Sequence, residues 1–466
     1  MNMTLLRRGI MRQRLGKTRF DTSGFPVGKT ADNMRVFYRR DGLRVMVLSI
    51  DGDIYSCTTA GVLARIYDGT AGTVWCFETM PNNAGNDRLW AVNGTDPPQQ
   101  WDGVAATTSA WTGMTNGFFI IRVWKNMMIA VTSATPQRIF FSPTGNPDGT
   151  LPYTTFEDIR GPEDEQDSVT WMDVVGDYLI MFKRRSTWAI VDPVNHQNRR
   201  LGGPGAEARF QSCLVNERVY FLSRAGVYST DGVNEPRYES DKIEPTLESE
   251  FNYASITRAR VAPTRDRRVL ISIPTRSNDF NSMVCELAPD LGERDSDDVK
   301  FGAWSIHDLQ VSAMCTFRPV DRDVLLGADA KNAKLHQLFN GTNDDGVAIS
   351  AWWMSRWNSV VAEEPYERLR RVNIEMEGTV VVDIYSDFSG GPDFSASVST
   401  PSDSDALWDG AHWGGGTWDP RDGAFMMRVR PETWARYHAI RFSNNVLDKT
   451  FIIYTTELAV RGGKAH

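Results

Sequence analysis

At 466 residues, with a formal net charge of -8 and a pI near 5.4, the chain is long enough for two large domains and too acidic to grip nucleic acid over a broad face. Its five cysteines, Cys57, Cys76, Cys213, Cys285 and Cys315, are scattered and form no Cys-x-x-Cys pair, which speaks against a disulfide framework or zinc site and for synthesis in a reducing cytoplasm. No apolar run reaches the roughly 18 residues that a membrane span needs, and Leu5-Leu6 is too short an apolar patch for a signal-peptide core.

Residues 1–35 read as a basic arm. Arg7, Arg8, Arg12, Arg14, Lys17 and Arg19 all precede the first acid, Asp21. Such a run is either a solvated tail or wet-faced first strand, or a docking arm for an acidic partner or a nucleic-acid phosphate. The segment GFPVGKT at 24–30 falls short of a phosphate-binding loop. It has three residues before the Gly-Lys-Thr where the loop needs four, and one of them is Pro26, which has no N–H to offer a phosphate.

From Val36 a hairpin pattern recurs. Its pairs are 45–50 with 54–58, 88–92 with 99–103, 122–131 with 138–142, and 177–182 with 187–191, then 218–223 with 227–229, 268–273 with 282–287, and 324–329 with 335–339. Each joins an apolar strand through a tight turn to a shorter strand. The strands MMIAV and YLIMF are apolar on both faces, whereas an antiparallel strand with one wet face alternates. Sheets covered on both sides at a spacing of roughly 40–55 residues are the blades of a β-propeller. Six or seven blades are expected over 36–357, with the 20–40 region completing the last one. The best short helix is 245–254, with Pro245 in its first turn. The acidic loops GPEDEQD at 161–167 and ERDSDD at 293–298 lack the spacing of a calcium loop and read as solvated tips.

Near Pro365 the pattern changes to alternating strands at 369–376, 379–385, 425–429, 437–443 and 451–460, which read as an antiparallel β-sandwich over 358–466. Residues 351–357 (AWWMSRW) would bridge the domains or close the ring. A Trp/Gly-rich insertion at 389–423 carries Trp408, Trp413 and Trp418 at five-residue spacing. Indoles stack on sugars, but three of them also pin a Gly-rich loop to a sheet, and the second reading is preferred. The fold class is therefore all-β, a propeller followed by a sandwich.

Signals for chemistry are sparse. His196, His307, His336, His412, His438 and His466 fall at no metal-ligand spacing, and neither HExxH nor GxSxG occurs. Sialidase-type glycosidases share the propeller-plus-sandwich layout but carry Ser-x-Asp-x-Gly-x-x-Trp turns, which Ser49-Ile50-Asp51-Gly52 and Ser229-Thr230-Asp231-Gly232 do not match. Carboxylate pairs for glycoside hydrolysis are not local in sequence, so none is singled out. No catalytic residue, metal or cofactor is expected.

The order RVWKNMMIAV, QRIFFSPTGNPDG, VGDYLIMFKRRSTWAIV resembles the tail-nozzle proteins of short-tailed double-stranded DNA bacteriophages. The shared parts are Trp-Lys-Asn, a strand ending Phe-Ser-Pro before Gly-x-Pro-Asp, and a Gly-Asp strand pair with Phe-Lys and Ser; the sandwich opening YERLRRVNIEMEG fits as well. The resemblance implies a non-enzymatic virion protein of the tail, made in the bacterial host cytoplasm. Six copies would form a ring below the portal and its adaptor and continue the DNA channel. Tail needle, plug or fibre proteins would join at the far end. Double-stranded DNA would pass without sequence-specific binding, and an acidic lining would spare it the friction of many phosphate contacts. The basic arm would dock on the adaptor. The alternatives are a glycan-binding or glycan-cleaving propeller with the Trp408–Trp418 loop at its site, and a host-receptor-binding tail protein.

Overall fold

The computed structural model describes residues 1–7, 10–23, 25–111, 114–148, 155–160, 167–192, 197–291, 302–357, 366–400 and 425–463. They form two compact units: Arg19–Trp304 with Asp308–Leu338, and Met1–Thr18 with Ser305–His307 and Phe339–His466. The boundaries thus lie at 18/19 and 338/339 rather than at 35/36 and 357/358.

The first unit is a seven-bladed propeller, each blade a four-stranded antiparallel sheet. Its innermost strands are Ala31–Tyr38, Cys76–Pro81, Phe118–Trp124, Val169–Val175, Ser212–Val215, Arg260–Pro263 and Val311–Phe317. Each lies against the next and the last lies against the first, so the ring closes. The seven hairpins read from the sequence are the second and third strands of the blades. The second strands are buried on both faces; Met128, Ile129, Ala130 and Val131 are all fully buried. The seventh blade takes its outer strand from Lys17–Arg19, while the 20–40 region supplies the innermost strand of the first blade instead.

Trp-Lys-Asn is a turn, not part of one strand across 122–131. Lys125 and Asn126 both have positive φ (47° and 61°) and join Phe118–Trp124 to Met127–Thr132. That is the two-residue hairpin geometry whose twist matches the flanking strands. The same device recurs at Asn216-Glu217 and Asp51-Gly52. The short helix forms as Glu244–Glu250 with proline in its first turn, and a 3-10 segment follows at Tyr253–Arg258.

The second unit is a sandwich built on the 21-residue strand Tyr366–Ser386, which serves two sheets. Its first part pairs with Phe451–Gly463, Phe425–Val429 and Thr433–Ala435; its last part pairs with His438–Asn444 and Phe394–Ser399. Gly378 stands at the change-over with φ +84°, and a Cβ there would lie 1.9 Å from the Thr450 carbonyl oxygen, so only glycine fits. Inner faces of both sheets, among them Val372, Ile374, Val382, Ile384, Phe442 and Ile453, share one core. Residues Ala351–Met354 pair with His438–Asn444 as an edge strand here and close no ring. Met3–Arg7 and Ile10–Gln13 form a hairpin whose second strand pairs with Phe451–Gly463. The basic stretch is therefore woven into a sheet, where its main chain satisfies neighbouring strands.

Candidate functional site in the axial cavity

Charged side chains sit along the innermost strands of the propeller. Arg35 of the first blade pairs with Glu78 of the second, and Glu78 with Arg122 of the third at 3.2 Å. Arg122 then reaches Asp173 of the fourth blade at 3.0 Å, and Asp173 accepts from the Ser212 hydroxyl of the fifth at 2.8 Å. Burial disfavours the charge on Arg122, but Asp173 and Glu78 outweigh it and hold its pKa above the ordinary value. The alternation of sign around the axis stitches five blades together where each ion alone would be costly.

At the end of the axis where the innermost strands begin, the chain forms a half-open cavity of about 860 Å³. Four arginines line it: Arg184, Arg209, Arg258 and Arg260. Arg184 has Glu207 at 3.8 Å and Arg258 has Asp279 at 3.7 Å. Among the described residues no carboxylate lies within ion-pair distance of Arg209 or Arg260. Both are held by backbone oxygens instead. Arg209 Nη1 donates to Val74 and Phe119, and Arg260 donates through Nε to Asp32 and through Nη1 to Thr257 and Ala259. Both guanidinium groups lie near the Phe210 ring, 5.7 Å and 5.4 Å from its centroid. Burial lowers the Arg209 pKa. Burial also brings Arg260 down to about 10, with Asp32 opposing and Arg209 and Arg258 adding to the fall. A guanidinium keeps its charge at neutral pH in a protein. Burial raises the Asp32 carboxyl against the pull of Arg260. Phe119 and Phe280 add apolar wall. The arrangement can hold an anion; among the described residues no group of three or more His, Cys, Asp or Glu is placed to hold a metal ion.

The residues singled out from the sequence are elsewhere. Arg7 ends the strand Met3–Arg7, and Arg8 lies outside the described residues. Arg12 sits in the strand Ile10–Gln13, half-buried. Arg14 is fully buried, with Nη1 and Nη2 on Asp344 at 2.8 Å and 2.5 Å and Nε on Asn2 at 2.9 Å. Lys17 and Arg19 begin and end the strand that completes the seventh blade, and Arg19 holds Asp21 at 2.9 Å. Trp408, Trp413 and Trp418 lie outside the described residues, as do 161–166 and 293–298 of the acidic loops. The sequence reading missed Arg209 and Arg260 because it followed the long apolar runs, which are the second and third strands. The innermost strands carry charges and break that pattern; Arg-Phe at 209–210 and Arg-Ala-Arg at 258–260 just before or at such a strand were the available signal.

No protein-family model and no curated protein matches the chain. Among solved structures it is similar to virginiamycin B lyase from Staphylococcus aureus, at 10% identity over 70% of this chain and 98% of that one, with a TM-score of 0.43. It is likewise similar to the β-propeller domain of Cps50 (Swd1) from Myceliophteria thermophila, at 10% identity over 69% and 98%, with a TM-score of 0.43. A computationally designed protein, Ika8, is similar at 10% identity over 69% and 100%, with a TM-score of 0.39. Likeness at this level bears on neither chemistry nor partners.

Proposed function

We propose that the chain is a structural, non-enzymatic component of a bacteriophage tail, one subunit of a six-membered nozzle ring that continues the DNA channel below the portal and adaptor. The observation that carries this reading is the order of framework residues through the third and fourth blades. Lys125-Asn126 makes a positive-φ hairpin turn. The Ser142 hydroxyl accepts from the Met128 N–H at 2.8 Å and donates to the Pro143 carbonyl at 2.9 Å, so Phe-Ser-Pro fixes a strand end. Lys183 and Ser186 bracket the next turn and are fully buried. These are wall-building roles, as a structural signature requires. The net charge of -8 supports a surface that does not hold passing DNA. Rings of this kind need two different, mutually complementary flanks on each subunit. Gold-labelled antibody against the chain, applied to virions that carry it, is expected to mark the head-distal end of the tail. Label on the capsid or on no particle would overturn the reading.

A further inference from the structure

We propose that the axial cavity of the propeller binds a small organic anion, a phosphate or carboxylate on an apolar body, between Arg209 and Arg260. Two like charges placed side by side in a cavity repel one another. Elsewhere along the axis the chain meets that penalty with acids, as around Arg122. Here the acids stand off: Asp32, Asp167 and Glu207 share the cavity and Asp32 attracts Arg260, yet none of these three carboxylates is within ion-pair distance of Arg209 or Arg260. A purely structural reading accounts for part of the arrangement, since Arg209 Nη1 ties Val74 to Phe119 and Arg260 ties Asp32 to the Thr257–Ala259 turn. It leaves Nε and Nη2 of Arg209 and Nη2 of Arg260 without a partner among the described residues. The backbone bonds hold each guanidinium plane rigid, and a fixed fork of N–H donors is the geometry that suits a carboxylate or phosphate. Phe119, Phe210 and Phe280 supply the surface for an apolar body, and about 860 Å³ is room for a metabolite rather than a bare ion. The site stands whether or not the chain assembles into a tail.

The test is calorimetric titration of the full chain with phenyl phosphate, benzoate and inorganic phosphate. Saturable one-to-one binding of phenyl phosphate or benzoate is expected, tighter than for inorganic phosphate; which of the two wins identifies the head group. Arg209→Met and Arg260→Met are each expected to weaken it at least about tenfold. Because either arginine also bonds the backbone, a second measurement uses the unaltered protein: modification of Arg209 and Arg260 by an arginine-selective glyoxal, read by peptide mass, should slow when phenyl phosphate is present. Absence of saturable binding by all three probes, unaltered affinity in both methionine variants, or equal modification with and without the probe would each overturn the site.

Discussion

Arg122 shows what a single side chain does in this molecule. Its guanidinium joins acids from the second and fourth blades, and its side chain is only 15% exposed. Arg122→Met removes the cation between Glu78 and Asp173, leaving Glu78 to Arg35 and Asp173 to Ser212. A loss of about 3–5 kcal/mol is expected from urea unfolding, the usual result of breaking a buried pair from one side. A loss below about 1 kcal/mol would mean that the network is ornamental. In the sandwich, burial lowers the pKa of His438 below 6.5, against the pull of nearby Glu367. A histidine whose folded pKa is depressed contributes its stability fully above the unfolded value and loses it as pH falls through the folded one. The sandwich is therefore expected to weaken on titration from about pH 7 to pH 5, and His438→Phe to flatten that slope. Denaturant midpoints that fall equally with pH in both proteins would contradict it.

Elements follow from local rules with a few exceptions. The strand Tyr366–Ser386 serves two sheets only because Gly378 lets the chain turn against Thr450. Gly378→Ala forces both a strained φ and a clash with backbone, so a loss of at least about 2 kcal/mol in thermal or urea unfolding is expected. An unchanged midpoint would show that the bend is not fixed there. Much of this scale was readable in the sequence. Seven hairpins and the sandwich strands emerged because burial on two faces writes continuous apolar runs and burial on one face writes alternation. Less was readable where tertiary partners decide. Nothing local marks Met3–Arg7 and Ile10–Gln13 as sandwich strands, since the strand that completes their sheet, Phe451–Gly463, is more than four hundred residues away. Arg14 reads as a surface charge until Asp344 is placed beside it. The candidate site was the least legible part, because Arg209 and Arg260 come together only when the ring closes.

The molecule has two units, a closed wheel of seven blades and a sandwich that takes strands from both ends of the chain. Charged side chains pair between neighbouring innermost strands along the axis of this propeller, so a DNA channel would have to run between subunits rather than through one. That makes assembly the central claim. The most direct measurement is the mass of the complex formed when the purified chain, 52.4 kDa, meets phage heads that lack it. The account predicts six copies gained per head, in a ring below the adaptor. A chain that stays monomeric beside such heads, or joins them in any other number, would contradict it.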